Sequence, residues 1–300
     1  MLKPALSYQE KYECLFFIAD LHALNTIKDP KKLTEYTYDS VATWLALGLD
    51  PNSHLLYKQS DVTEVTELAW HLSCCTGMGL LEKAHAYKDA KANKKDLNHA
   101  VFAYPVLMAA DILLFNTDIV PVGKDQKQHV EMTRNIAGSF NAIYGETLKL
   151  PEPVIKEDVM TIPGLDGRKM SKSYNNEIPL FSSEKQLKKK IMSLETDSTS
   201  LEDPKKLDGS LLGDLFKLFA NNDQYQDLEQ RLSQGGLGWG HAKQELFEVI
   251  NQEVKDSRSK YDELVKDKNY LDSVLNESKI KAKEIALPII NKVRSATGLS

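Results

Sequence analysis

Two lysines and two serines fall within the five residues Lys169-Met170-Ser171-Lys172-Ser173, a combination that a core would penalise and that contact with a polyanion would use. A lysine offers a point charge to phosphate oxygens. Serine hydroxyls and neighbouring backbone N–H groups offer short donors as negative charge redistributes during phosphoryl or nucleotidyl transfer. Gly164 and the turn pair Asp166-Gly167 stand just upstream and predict a surface loop. Charge alone also allows a solvated loop without a ligand.

Two further segments offer chemistry that such a loop would serve. Ile119-Val120-Pro121-Val122 reads as a short buried strand, and Gly123-Lys124-Asp125-Gln126 turns it into a helix whose Val130, Thr133, Ala137 and Phe140 recur at helical spacing. Strand, glycine turn and helix start deliver ligands to the carboxyl edge of a parallel sheet, where Gly123 allows close approach and the opening N–H groups favour anions. Upstream, Tyr104 to Phe115 is apolar nearly all round, which predicts a buried helix, yet Asp111 interrupts it. Tyr104, Met108 and Asp111 fall at i, i+4 and i+7 and so share one face, bringing together a phenol, a thioether and a carboxylate. Two readings of Asp111 stand. It reaches solvent or a lysine, or it is a buried acceptor beside methionine, which suits an indole with its single N–H on a flat apolar body.

The string Lys169 to Ser173 resembles the signature loop of class I aminoacyl-tRNA synthetases, which clamps the ATP pyrophosphate during amino-acid activation. Together with Glu13 through Phe17 to Asp20, His22 and Ala23, the run Tyr104 to Leu114 and the turn Val122 to His129, in that order and spacing, it makes residues 13 to 173 resemble the tryptophanyl-tRNA synthetase family. The resemblance implies that Asp111 accepts the indole N–H of L-tryptophan, that Met108 and His22 wall the ring, and that Tyr104 and Gln126 hold the α-ammonium group. It implies that Gly123, Lys124 and Asp125 line the ATP site and that Met160 gives backbone contacts to the adenine. Lys169, Met170, Ser171, Lys172 and Ser173 would hold the phosphates, with Lys169 and Lys172 the catalytic groups. The activity implied is ATP-dependent formation of tryptophanyl-adenylate and transfer to tRNA(Trp), in a cytoplasmic homodimer. Mg2+ is expected to arrive on the ATP phosphates, with no dedicated carboxylate cage.

Class I synthetases also carry, after their first strand, a His-x-Gly-His type motif that grips ATP. This chain shows none, and Met1 to Tyr12 resembles the helix that follows it. The expectation is that the first strand and its phosphate turn are missing here, which would take hydrogen-bonded neighbours from two other strands and slow activation. The alternative function is a catalytically deficient relative that binds tryptophan or tRNA without activating it. A tyrosine-activating relative is a further alternative, and it would want both donor and acceptor groups aimed at a phenol.

These residues need two kinds of scaffold. The fold class expected is α/β: a Rossmann-like parallel-sheet nucleotide-binding domain over residues 1–180, incomplete at its N-terminus, then an α-helical C-terminal domain. The latter, residues 181–280, would bind the tRNA anticodon, and a last helix over about 281–300, kinked at Pro288, would pack back on the first domain. Three hundred residues agree with two domains, and 42% hydrophobic with 27% charged residues is ordinary for a globular protein. No run approaches the roughly eighteen apolar residues of a membrane helix, so no membrane partner is expected. Cys14, Cys74 and Cys75 are too few and too badly spaced for a disulfide framework or a zinc site, and read as reduced packing residues.

A net charge of −5 means that a tRNA partner requires a local basic face. Ser183 to Ile191 reads as a capped basic helix that is either solvated or in contact with phosphate. Trp239, in the glycine-rich break Gly235 to Gly240, either stacks on a base or pins its loop. Lys88 to Asn98, with Lys91, Lys94 and Lys95, is the best candidate for a mobile loop. Trp44, Trp70, Val41, Leu45, Leu68 and Leu72 are expected in the core.

Overall fold

The computed structural model describes residues 2–92, 97–123, 126–155, 162–170 and 174–299. The chain forms two compact units, Met1–Val159 with Leu264–Ser300, and Met160–Glu263.

The first unit alternates strand and helix, as an α/β chain should. After the short α1 (Leu2–Leu6), β1 (Leu15–Ile18) leads through the single turn α2 (Asp20–Ala23) into α3 (Pro30–Ala46). α3 starts where the Asp29 carboxylate accepts from the N–H groups of Lys31 and Lys32 and where Pro30 needs no donor. It buries Val41, Ala42 and Leu45, and β2 (Leu55–Lys58) then pairs parallel with β1, Leu15 opposite Leu55. Four helices follow, α4 (Glu64–Ser73), α5 (Met78–Leu81), α6 (His85–Ala92) and α7 (His99–Leu113), before β3 (Ile119–Val122). α8 (Lys127–Tyr144) crosses from β3 to the parallel β4 (Glu152–Ile155), with Ile119 opposite Glu152. The core of this unit joins Leu68 and Leu72 of α4, Val106, Ala109 and Leu113 of α7, Ile136, Ala137 and Phe140 of α8, and Leu55 and Tyr57 of β2.

The parallel strands form two two-stranded sheets among the described residues, rather than one ladder. β1 is paired on one edge by β2, and its four apolar residues are only half-buried. The other side of β2 is met by the last helix of the chain, whose Ser278 Oγ accepts from the Leu56 N–H at 3.1 Å. A backbone donor that a further strand would otherwise satisfy is thus paired by a buried hydroxyl.

The second unit is helical, with α9 (Glu184–Met192), α10 (Leu211–Phe219), α11 (Asn222–Ser233) and α12 (Trp239–Leu264). Leu187 and Ile191 of α9 join Leu215 and Phe216 of α10, Leu228 and Leu232 of α11, and Leu246 and Ile250 of α12 in one core. Leu165 and Ile178 belong to that core too, so the helical unit begins at residue 160 instead of 181. It ends at 263 instead of 280 because α13 (Lys268–Thr297) docks on the first unit along its whole length. Near its start, Tyr38 Oη donates to Asp272 Oδ1 at 2.5 Å, which pushes the Tyr38 pKa up to about 12; further along, Ala282, Ile290 and Val293 enter the first core.

Trp239 is buried and its Nε1 donates to Asp197 Oδ1 at 2.8 Å, so it pins its loop and has no face for a base. Trp70 is not core: it is 71% exposed, because α4 buries Val65, Leu68, His71 and Leu72 and position 70 points away from that face. Trp44 is half-buried against Phe16, ring centroids 4.8 Å apart. Lys88 and Lys91 lie in α6, while residues 93–96 of the expected loop lie outside the described residues. The three cysteines are free, Cys14 and Cys75 half-buried, but Cys74 is exposed and packs against no core. No helix among the described residues is long and apolar enough to cross a membrane.

The end of α13 is held by a bidentate pair, Arg294 Nε to Glu67 Oε1 at 2.7 Å and Nη2 to Oε2 at 2.6 Å. Hydrogen bonding from Arg294 holds the Glu67 carboxyl below its usual range. A carboxyl so depressed adds stability above its unfolded pKa and loses it as pH falls through the folded value. Glu67→Gln is therefore expected to lower the melting temperature at pH 7, with the gap to the parent closing in acid. A gap independent of pH between 7 and 3 would show that the ion pair is not its source.

Candidate functional site

Asp111 reaches neither solvent nor, among the described residues, a lysine. α7 carries it inward together with Val106, Ala109 and Ala110 on a helix started by the Asn98 side chain, which accepts from the Val101 N–H. The residue is 6% exposed. Its Oδ2 lies 3.0 Å from His22 Nε2, and the amide Nε2 of Gln59 donates to Oδ1 and Oδ2, both at 2.8 Å. Burial pushes the Asp111 carboxyl above its usual range, with His22 and Gln59 pulling the other way.

His22 arrives on α2, at the carboxyl end of β1, and Gln59 in the 3-10 turn Gln59–Asp61 at the carboxyl end of β2. The two turns are tied together: the His22 N–H donates to Gln59 Oε1 at 3.3 Å, and the Ser60 N–H donates to Asp20 Oδ1 at 2.9 Å. Tyr104 lies over His22 with ring centroids 4.6 Å apart, and its other neighbour is His129 of α8, at 5.5 Å and nearly edge-on. Met108 is half-buried one turn on from Tyr104, on the face that Asp111 completes. Burial, then the charge of Asp111, raises the Tyr104 pKa, which keeps the phenol a donor.

The structure thus brings His22, Tyr104 and Asp111 together, with Met108 on the same helix face. Gln126 stands at the start of α8, its N–H donating to the Gly123 carbonyl at 3.0 Å. Lys124, Asp125, Met160, Ser171, Lys172 and Ser173 lie outside the described residues.

The first part of the lysine-serine loop is well built within the second unit. Pro163 and Lys169 bridge antiparallel, and the Met170 N–H donates to the Ile162 carbonyl at 3.0 Å. The reversal uses Gly167 at φ +76°, a left-handed conformation that favours glycine. Asn176 is buried beneath it and donates to Asp166 Oδ1 at 2.7 Å and to the Lys169 carbonyl at 3.2 Å. A Cβ at Gly164 would collide with this Asn176 side chain. Met170 packs on the helical core while Lys169 is exposed, so backbone and methionine are anchored and the ammonium is free to meet an anion.

Sequence reasoning missed Gln59 and Asn176. The only signal for Gln59 was its place, a polar residue directly after an apolar parallel strand, where such sheets bind ligands.

The chain matches the family described as tRNA synthetases class I (W and Y) over residues 1–255. It is 47% identical over 299 residues to a tryptophan–tRNA ligase of Fusobacterium nucleatum, covering 99% of this chain and 92% of that one. Its fold is similar to the crystal structure of tryptophanyl-tRNA synthetase from Campylobacter jejuni complexed with ADP and tryptophan, with a TM-score of 0.94 at 46% identity, covering 99% of this chain and 93% of that one. A second structure of the C. jejuni enzyme gives a TM-score of 0.87. The buried acidic helix, the glycine turn and the anchored lysine loop are therefore parts of a chain that belongs to the class I tRNA synthetases of the tryptophan and tyrosine family.

Proposed function

We infer that the protein is a tryptophan–tRNA ligase. A carboxylate oxygen of tryptophan attacks the α-phosphorus of ATP, the bond from that phosphorus to the bridging oxygen breaks, and pyrophosphate leaves. A terminal ribose hydroxyl of tRNA(Trp) then attacks the acyl carbon of the adenylate and AMP leaves. The observation that carries the reading is Asp111, a buried carboxylate on the face of α7 that it shares with Tyr104 and Met108, with no lysine or arginine paired to it among the described residues. An acceptor desolvated in this way favours a substrate that brings a donor on an apolar body.

Asp111 accepts the indole N–H, Met108 and His22 flank the ring, and Tyr104 and Gln126 bind the α-ammonium group. Gly123, Lys124, Asp125 and Met160 belong to the ATP site. Lys169 to Ser173 hold the phosphates, with Mg2+ carried in on them; such catalysis is positioning and charge stabilisation. The second unit is the part that reads the anticodon, and the exposed Lys185, Lys188 and Lys189 of α9, whose opposite face buries Leu187 and Ile191, offer it phosphate contacts. Trp70 at 71% exposure and Met78 at 64% give the first unit apolar surface that a second copy would cover, which supports a homodimer. The proposed compartment is the cytoplasm.

ATP–pyrophosphate exchange tests the substrate. Exchange is expected with tryptophan and at least about a hundredfold less with tyrosine at equal concentration, a site with a fixed acceptor discriminating by the partner it pairs. Exchange driven equally by tyrosine would overturn the reading.

A further inference from the structure

Gln59 is the least exposed polar side chain at the site, with no accessible surface at all. Both ends of its amide are engaged. Oε1 accepts the His22 N–H at 3.3 Å, and Nε2 donates to both oxygens of Asp111 at 2.8 Å. A flipped amide would set its NH2 against the His22 N–H and its oxygen against a carboxylate, so backbone hydrogen bonding fixes which edge faces Asp111. The two oxygens of Asp111 are then unequal. Oδ2 accepts from Gln59 and lies against His22 Nε2, whereas Oδ1 accepts from Gln59 alone.

We propose that Gln59 is a positioning residue for amino-acid selection: it fixes the plane of the Asp111 carboxylate so that Oδ1 keeps a lone pair for the ring N–H of the substrate. The inference rests on Asp111 being the acceptor of that N–H. His22 supports the arrangement from the other side. With its Nε2–H donated to Oδ2, its buried Nδ1 has no hydrogen-bond partner among the described residues, so the ring is held by Asp111 and by the Tyr104 ring packed at a tilt against it.

The same contacts tune the charge of the acceptor. The groups that face Asp111 are His22 and Asp20 at the end of β1, Gln59 after β2, Tyr57 within β2 and Tyr104 on α7. Of these, His22 and Gln59 favour the ionised carboxylate, and burial with Asp20 disfavours it. Removing the amide donor therefore moves Asp111 toward the protonated form, which can no longer accept a charge-assisted hydrogen bond.

The test measures kcat/KM for tryptophan against pH in pyrophosphate exchange, together with KM for ATP and the melting temperature, for Gln59→Met, Gln59→Glu and Asp111→Asn. For Gln59→Met, kcat/KM for tryptophan is expected to fall about tenfold or more, with its acid limb displaced to higher pH and KM for ATP within about twofold of the parent. Gln59→Glu keeps an oxygen for the His22 N–H, which protects the fold. It sets carboxylate against carboxylate at neutral pH and offers an O–H to Asp111 once protonated, so its deficit is expected to shrink as pH falls. If Gln59→Met does not fold, the pH trend of Gln59→Glu decides alone. Parent-like values and limbs in both Gln59 variants, or equal losses for tryptophan and ATP with no displaced limb, overturn the proposal. Should Asp111→Asn be impaired in that case, only the role of Gln59 falls; should Asp111→Asn also match the parent, the reading of Asp111 falls first.

Discussion

Asp111→Asn is expected to lower kcat/KM for tryptophan in the activation step by about 1–3 kcal/mol, roughly fivefold to 150-fold. The substitution is nearly isosteric, so its effect is electronic. Three contacts converge on the carboxylate, two from Gln59 Nε2 and one with His22 Nε2. An amide has only one oxygen, so one contact with Gln59 becomes donor against donor, and the amide cannot flip away without abandoning the His22 N–H. An Asn oxygen turned to satisfy Gln59 is no longer free for an indole, and a nitrogen turned to the indole repels it. KM for ATP should stay near the parent value, because among the described residues Asp111 bonds to His22 and Gln59, neither of which is proposed for ATP. Unchanged exchange with tryptophan would remove Asp111 from the substrate site.

How much of this site was legible beforehand depends on how local its determinants are. Tyr104, Met108 and Asp111 lie on one helix, so their common face followed from spacing, and a carboxylate in an apolar run marked itself. Its partners did not. Gln59 is 52 residues away and His22 is 89, and only the packing of two strand ends against α7 brings them there. The same holds at the lysine loop, where Asp166-Gly167 announced the reversal but Asn176, which ties the turn to Lys169, carried no signal of its own. Trp70 was misjudged because residue type says how much a side chain gains by burial and not which face it occupies; Leu68 and Leu72 had already taken the inner face of α4. The two-unit organisation was legible from the switch to purely helical periodicity after Pro204. Its boundaries were not, since they depend on Leu165 and Ile178 packing into the helical core and on where α13 docks.

Lys169→Ala and Lys172→Ala are each expected to slow adenylate formation by about a hundredfold or more, the scale of losing one pre-placed donor to a developing anion, while the dissociation constant for tryptophan stays within about twofold. For Lys169 the structure says why the loss should fall on the rate. Its backbone is bridged to Pro163 and its carbonyl accepts from Asn176, and the neighbouring Met170 is seated in the helical core. Among the described residues the exposed side chain makes no ion pair whose loss would unravel that turn, so truncation at Cβ removes a charge and leaves its support standing. A charge that meets the pyrophosphate mainly as the α–β bond lengthens contributes to the transition state more than to the bound substrates, and its removal lowers kcat and kcat/KM together. Single-turnover adenylate formation at saturating ATP and tryptophan separates this from weakened ATP binding. A variant with parent-like single-turnover rates would mean that Lys169 is a solvated surface lysine, and the phosphates would have to be held elsewhere.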